Sequence, residues 1–396
     1  MTPSRVLVVG ASAAGLATAE ALRRKGYRGG LTLLDAENHP PYDRPPLSKQ
    51  VLSGAWTPDR VRLRSDEALS AVNAEFVLGD PAVRLDAATR EVTTASGRVL
   101  DADAVVVATG LRPRTLPGQD GLSGVHVLRT LDDALGLRAA LTAGGTRVAV
   151  VGDGVLGAEV AATARGMGLE VTLLGPQTAP LAAQFGPLVA GLLADLHTGH
   201  GVRLRLGLGV DALVGVQGRV TGVRLADGAV VPADVVVVAV GAAPATDWLD
   251  GSGLTVADGV VCDAHCRAAE GIYAVGDVAR WDHRGLGGST RLENRTNATE
   301  QAAAVAAGIL GEGRPYTPVP YLWTDQFDVK VQVYGTVGAD ADTAVVDGDP
   351  DQGRFVALYG RRGRVTGVLG WNMPRQTRVR RGLVVDAASW DAVTAS

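Results

Sequence analysis

The feature that most constrains this 396-residue chain is a pair of similar openings, each an apolar run, a glycine-rich turn, a helix-compatible stretch and a second apolar run. The first reads Val6-Leu7-Val8-Val9-Gly10-Ala11-Ser12-Ala13-Ala14-Gly15, continues as a helix through Arg24 and resumes at Leu31-Thr32-Leu33-Leu34-Asp35. The second begins 142 residues later: Val148-Ala149-Val150-Val151-Gly152-Asp153-Gly154-Val155-Leu156-Gly157, a helix through Met167, then Val171-Thr172-Leu173-Leu174. A short continuous apolar run fits a strand covered on both faces in a parallel sheet. Glycines allow a tight turn and a close approach of backbone N–H groups to a phosphate, and the helix N-terminus adds partial positive charge. Each opening is a candidate dinucleotide-binding βαβ unit, and two of them predict two nucleotide sites.

Further buried-strand candidates are Ala104–Ala108, Val235–Val240 and Ile272–Val275, ending at Thr109-Gly110, Gly241-Ala242 and Gly276-Asp277. Ligands sit at such carboxyl ends in α/β sheets. From about Tyr321 the pattern alternates with period two (Val329, Val331, Val333; Phe355, Ala357, Tyr359), which predicts an antiparallel sheet. The expected fold is therefore α/β, with two Rossmann-like dinucleotide-binding domains and a small C-terminal α+β domain. The expected boundaries are 1–112 with 240–318 for the first domain, 113–239 for the second and 319–396 for the third.

A hydrophobic fraction of 46% and a net charge of -4 exclude a mainly disordered chain. Two cysteines, Cys262 and Cys266, are too few for a disulfide scaffold. The chain opens without a basic-apolar signal segment, and its longest uncharged stretch, Val171–Ala194, holds three prolines and two glutamines and makes a poor membrane span. A cytoplasmic protein with no membrane or nucleic-acid partner is expected, and no metal site. From Arg354 onward eight arginines face two aspartates, a surplus of six in a chain totalling -4, which suggests a docking surface for an acidic partner or a solvated face.

Two nucleotides in one chain imply hydride transfer from a nicotinamide to a flavin. The first unit is the expected FAD site, where Asp35 or Glu37 is placed to accept from the adenosine ribose, and the second unit is the expected nicotinamide site. Asp277, following an apolar strand, can accept from a ribityl hydroxyl and can also cap a helix.

The segments Pro41-Tyr42-Asp43-Arg44-Pro45-Pro46-Leu47-Ser48-Lys49, Ala108-Thr109-Gly110, Leu128-Arg129-Thr130, Tyr273-Ala274-Val275-Gly276-Asp277, Asn297-Ala298 and Trp323-Thr324-Asp325-Gln326 resemble those of FAD-dependent ferredoxin reductases. The similarity is to the putidaredoxin-reductase-like and aromatic-ring dioxygenase group, over nearly the whole chain. The resemblance implies FAD contacts from Gly10, Ser12, Ala13, Ala14 and Gly15, with Asp35, Glu37, Arg44, Lys49 and Val83. It adds Ala108, Thr109, Gly110, Arg129, Gly276, Asp277, Glu293 and Arg295. For the nicotinamide nucleotide it implies Gly152, Gly154, Val155, Leu156, Gly157, Glu159, Gln177 and Gly241. Lys49 would approach the hydride-accepting nitrogen of the flavin and pair with Glu159, and Trp323 would lie over or beside the flavin on the acceptor face.

Related disulfide reductases carry a cysteine pair where this chain has Pro40–Leu52, which contains none. Electrons are thus expected to leave one at a time for an iron–sulfur ferredoxin docking near the C-terminal arginines, on behalf of a monooxygenase or dioxygenase. Two positions depart from the pattern. After the second strand of the second unit, Leu174-Gly175-Pro176-Gln177 shows neither a carboxylate nor an arginine. A 2′-phosphate without a cation is poorly held, so NADH is expected, with NADPH open. Arg295 stands where many relatives have tryptophan, with Glu293 to offset its charge. These departures keep open an FAD-dependent oxidase or oxidoreductase acting on a small organic substrate in specialised metabolism. A flavin-bearing signalling protein of the apoptosis-inducing-factor kind is the remaining alternative.

Overall fold

A computed structural model describes residues 2–144 and 147–394. The chain divides into two compact units, Met1–Asp43 with Asp59–Arg112 and Ala242–Pro318, and Arg44–Pro58 with Pro113–Gly241 and Val319–Ser396.

In the first unit the apolar run Arg5–Val9 is the inner strand of a six-stranded sheet. Gly30–Leu34 and Glu75–Val77 follow on one side, and Ala104–Val107, Ile272–Ala274 and Arg267–Ala269 on the other. Every pairing is parallel except the last, and Val6 stands opposite both Leu31 and Ala104. Helix Ala13–Arg24 packs on helix Arg295–Ile309, and the residues they bury include Ala14, Gly15, Ala298 and Ala302, small enough to let two backbones approach closely. A three-stranded antiparallel meander, Ala82–Asp86, Glu91–Thr94 and Val99–Asp101, leads into the central strand Ala104–Val107.

The second unit repeats this plan. Arg147–Val151 lies between Glu170–Gly175 and Val235–Val238 in a five-stranded parallel sheet completed by Arg203–Leu206 and Val125–His126. Another three-stranded meander, Val210–Val216, Arg219–Leu225 and Val230–Pro232, precedes Val235–Val238. The duplication legible in the two turns thus extends over whole domains. Segment Arg44–Pro58 also belongs here rather than with the first nucleotide fold, because the turn Leu47–Val51 packs on helix Val155–Gly166 and Thr163 Oγ1 donates to Ser48 O at 2.7 Å.

The C-terminal segment forms a five-stranded antiparallel sheet in the order Tyr321–Gln326, Val329–Gly335, Arg364–Trp371, Arg354–Arg361, Asp342–Asp349. Strand Val329–Gly335 shows the alternating burial its sequence predicts, but Phe355–Gly360 is buried on both faces. Phe355, Ala357 and Tyr359 pack with Phe185, Val189 and Leu193 of helix Ala182–Gly199. Val356 and Leu358 pack with Met373, Leu383 and Val384 at helix Pro374–Val385. Each large apolar side chain enclosed in this way contributes about 1.5–3 kcal/mol.

Candidate active site

Sterics of the main chain explain the glycines. Gly10 has φ +107°, and a Cβ there would lie 2.3 Å from Ala108 O; one on Gly15 would lie 1.8 Å from Gly10 O. The second turn repeats both contacts: Gly152, at φ +122°, meets Ala239 O at 2.1 Å and Gly157 meets Gly152 O at 1.8 Å. A Cβ on Gly154 would meet nothing within 4 Å, so that position faces open space, as expected where a ligand approaches. Both helices begin without a side-chain cap, at Ser12 and Gly154, and neither has an acid in its first turn. Their first N–H groups and dipoles are oriented to receive an anion, which fits the pyrophosphate of a dinucleotide. Ala13, Ala14, Val155 and Leu156 form the opening turns of these helices.

In the first unit Asp35 accepts the Ala11 N–H at 2.5 Å and the Glu37 N–H at 2.9 Å, while Glu37 accepts from the Tyr42 hydroxyl. Both acids line one cleft with Ser12 and His39 at the carboxyl end of strand Gly30–Leu34. Ala108, Thr109 and Gly110 follow strand Ala104–Val107, with Thr109 Oγ1 donating to Ala245 O at 2.8 Å. Gly276 brings the next strand end close: its Cβ would stand 3.0 Å from Ala14 Cβ, and its N–H donates to the buried Gln301 Oε1 at 2.8 Å. Asp277 lies within the single turn Gly276–Val278, whose N-cap position is Val275. Val83, on the meander, is 50% exposed.

One expected pairing is corrected. Glu293 does not offset Arg295; it pairs with Arg291 at 2.6 Å, and Arg295 Nε donates to Asp43 Oδ1 at 2.6 Å. Arg291 bridges Glu293 and Asp258, whereas Arg295 opens the helix that follows the Asn294 cap.

In the second unit Pro45-Pro46 leads into a π-helical turn, Leu47–Val51, in which the Val51 N–H reaches back to Pro46 O at 3.0 Å. This turn presents Ser48 and Lys49 to helix Val155–Gly166. Glu159, 6% exposed, accepts from Ser48 Oγ (2.6 Å), Lys49 Nζ (2.7 Å), Thr324 Oγ1 (2.9 Å) and Asp325 N (3.4 Å). Burial pushes the neighbouring Asp325 carboxyl above the usual range, with Lys49 acting in the opposite direction. The structure thus brings Lys49 and Glu159 together as expected and adds Ser48, Thr324 and Asp325, which the sequence marks only as motif members. Trp323 projects to the other side of its strand from Thr324 and stacks on Tyr321 at 5.8 Å. Arg44 Nη1 donates to Arg129 O at 2.7 Å, and Asp133 accepts the N–H groups of Arg129 and Thr130. Gly241, at φ +94°, accepts the Arg114 N–H at 2.9 Å.

At the end of strand Glu170–Gly175 a carboxylate is present after all, delivered from the turn. Asp153, 4% exposed, accepts both the backbone N–H and the Nε2 of Gln177 at 2.8 Å. Inspecting only the residues that follow the second strand misses it.

Cys262 and Cys266 are free and buried; burial pushes both thiols up, Cys266 to about 12. A thiol so shielded is a poor nucleophile and a poor electron relay. Of the C-terminal arginines, Arg361 and Arg380 pair with Asp340 and Asp347, while Arg375, Arg378 and Arg381 are exposed on one helix beside Val379, itself 75% exposed. Among the described residues no helix is long and apolar enough to cross a membrane.

Residues 4–302 match the pyridine nucleotide-disulphide oxidoreductase family and residues 321–396 the reductase C-terminal family. The probable ferredoxin reductase CtmF of Castellaniella defragrans is 40% identical, covering 96% of this chain and 93% of that one. The ferredoxin--NAD(+) reductase component of the p-cumate 2,3-dioxygenase system of Pseudomonas putida is 35% identical, covering 98% and 95%. The covalent putidaredoxin reductase–putidaredoxin complex superposes with a TM-score of 0.93 at 32% identity, covering 99% of this chain and 95% of that one. The chain belongs to the pyridine nucleotide-disulphide oxidoreductase family and, within it, to the ferredoxin reductases.

Proposed function

We propose that the chain is the reductase component of an oxygenase system, carrying electrons from NADH by way of FAD to an iron–sulfur ferredoxin. The observation that carries this reading is the duplicated turn: the same two glycines are demanded by the same main-chain carbonyl contacts in both units, and each turn opens on an uncapped helix N-terminus. FAD, when bound, supplies the exchange between a two-electron donor and one-electron acceptors.

The first turn, with the Asp35–Glu37 cleft and Asp277, holds the flavin nucleotide, and the second turn holds the nicotinamide nucleotide. Glu159 fixes the Lys49 ammonium in desolvated surroundings, where a cation stabilises developing negative charge more strongly than in water. Lys49 is assigned that role toward the flavin. With both thiols buried, no dithiol of this chain intervenes between donor and acceptor. The exposed Arg375, Arg378 and Arg381 are assigned to steering an acidic ferredoxin.

Anaerobic stopped-flow mixing with NADH, then with ferredoxin, tests the reading. The flavin absorbance is expected to bleach in the first step and return in the second. A flavin that neither NADH nor NADPH bleaches refutes it.

A further inference from the structure

The two nucleotide turns keep their carboxylate in different places. Register aligns them: Gly10 N–H donates to Leu34 O at 2.7 Å and Gly152 N–H to Leu174 O at 2.8 Å. Ala11 therefore matches Asp153, and Asp35 matches Gly175. In the first unit the acid stands on the strand end and reaches to the turn, Asp35 accepting from Ala11 N. In the second it stands on the turn and reaches to the strand end, Asp153 accepting from Gln177 N and Nε2.

The exchange is steric as well as electrostatic. A Cβ on Gly175 would lie 2.1 Å from Asp153 Oδ2, so the carboxylate fills the space that a side chain on residue 175 would need. Gln177 is held at both ends, its Oε1 accepting the Ala183 N–H at 2.7 Å while Nε2 donates to Asp153 Oδ1, which leaves the amide one further N–H to offer. A buried negative charge and an oriented amide thus meet at the carboxyl end of the strand, where a dinucleotide fold receives the adenosine ribose.

We propose that Asp153 is the residue that makes this unit select NADH over NADPH. Its charge opposes a 2′-phosphate, since like charges brought together away from water repel strongly. Through Gln177 it also orients a donor toward a ribose hydroxyl. The proposal rests on reading the second unit as the nicotinamide-nucleotide site.

Calorimetric titration of the FAD-loaded protein with ADP-ribose and with 2′-phospho-ADP-ribose tests it without turnover, alongside the melting temperature of each variant. The wild type is expected to prefer ADP-ribose, and Asp153→Ala to narrow that preference by about tenfold or more. Gly175→Asp alone is expected to melt early and bind neither ligand, because the new side chain overlaps Asp153. The double variant Asp153→Ala/Gly175→Asp reproduces the arrangement of the first unit and is expected to recover both the melting temperature and the preference. An unchanged ratio in Asp153→Ala overturns the proposal, and so does a double variant no better than Gly175→Asp. If Asp153→Ala fails to fold, the double variant decides alone. A wild type that binds neither ligand removes the nucleotide reading itself, a separate failure.

Discussion

Glu159 gathers four donors in a nearly dry site, and the arrangement implies unequal costs for removing either member of its ion pair. Glu159→Leu leaves the Lys49 ammonium, whose side chain is 13% exposed, without its carboxylate. Removing one partner of a buried pair costs about 3–5 kcal/mol. Of the hydroxyls it abandons, Ser48 Oγ can still donate to Pro45 O at 3.5 Å, whereas the Thr324 hydroxyl loses its acceptor and keeps only the bond it accepts from Gln326 Nε2 at 3.2 Å, which adds to the cost. Lys49→Met leaves a carboxylate that keeps Ser48, Thr324 and the Asp325 N–H, so about 1–2 kcal/mol is expected. The double variant strands neither charge and should cost less than the sum of the single variants by about 2 kcal/mol or more. Urea unfolding followed by tryptophan fluorescence, with FAD in constant excess and its dissociation constant measured for each variant so that the binding contribution is subtracted, measures this. Equal single effects, or additivity in the double variant, would refute the claim that Lys49 depends on Glu159 for its burial.

Other consequences follow from the same geometry. Gly157→Ala should weaken NADH binding more than about tenfold while FAD content is retained, and Gly15→Ala should abolish FAD retention; each new methyl group would sit 1.8 Å from a main-chain oxygen. Absorbance for flavin content and titration for NADH separate the two, and equal loss of both ligands in both variants would contradict the assignment. Native Cys262 and Cys266 should not react with a chromogenic disulfide at pH 8, both becoming reactive on unfolding; a fast native thiol would contradict their burial. The sign of their pH effect follows from the raised pKa values. Unfolded thiols ionise from about pH 9 upward while Cys266 holds its proton to about 12, so their contribution is full below pH 9 and falls as pH rises toward 12. Cys266→Ala should flatten that decline in urea midpoints. Reversing Arg375, Arg378 and Arg381 to glutamate should lower the second-order rate with ferredoxin by about tenfold or more and weaken its salt dependence, with flavin reduction by NADH unchanged. An unaltered ferredoxin rate would place the docking surface elsewhere.

Local periodicity and glycine spacing made the two βαβ units and the antiparallel C-terminal sheet legible in the chain itself. Those features follow from short-range rules: apolar runs bury, and turns with positive φ take glycine. The period-two run at Phe355 also announced a strand, but not that helices would cover both its faces, because burial depends on partners distant in the sequence. The Arg295–Asp43 pair joins residues 252 positions apart, so only folding substitutes Asp43 for the nearer Glu293. Whether Asp35 or Glu37 meets the ribose was open in the sequence, and the structure places both at one cleft. The carboxylate of the second unit is the sharpest case. The position after the second strand, where the first unit has Asp35, is Gly175. The carboxylate comes from the preceding turn because the parallel register of Arg147–Val151 with Glu170–Gly175 sets the turn beside that strand's end, where one side chain can occupy the space of the other. Residue types and their spacing determined which elements form. Packing between segments far apart in the chain decided which charged groups meet, because a carboxylate is buried only where several donors converge upon it.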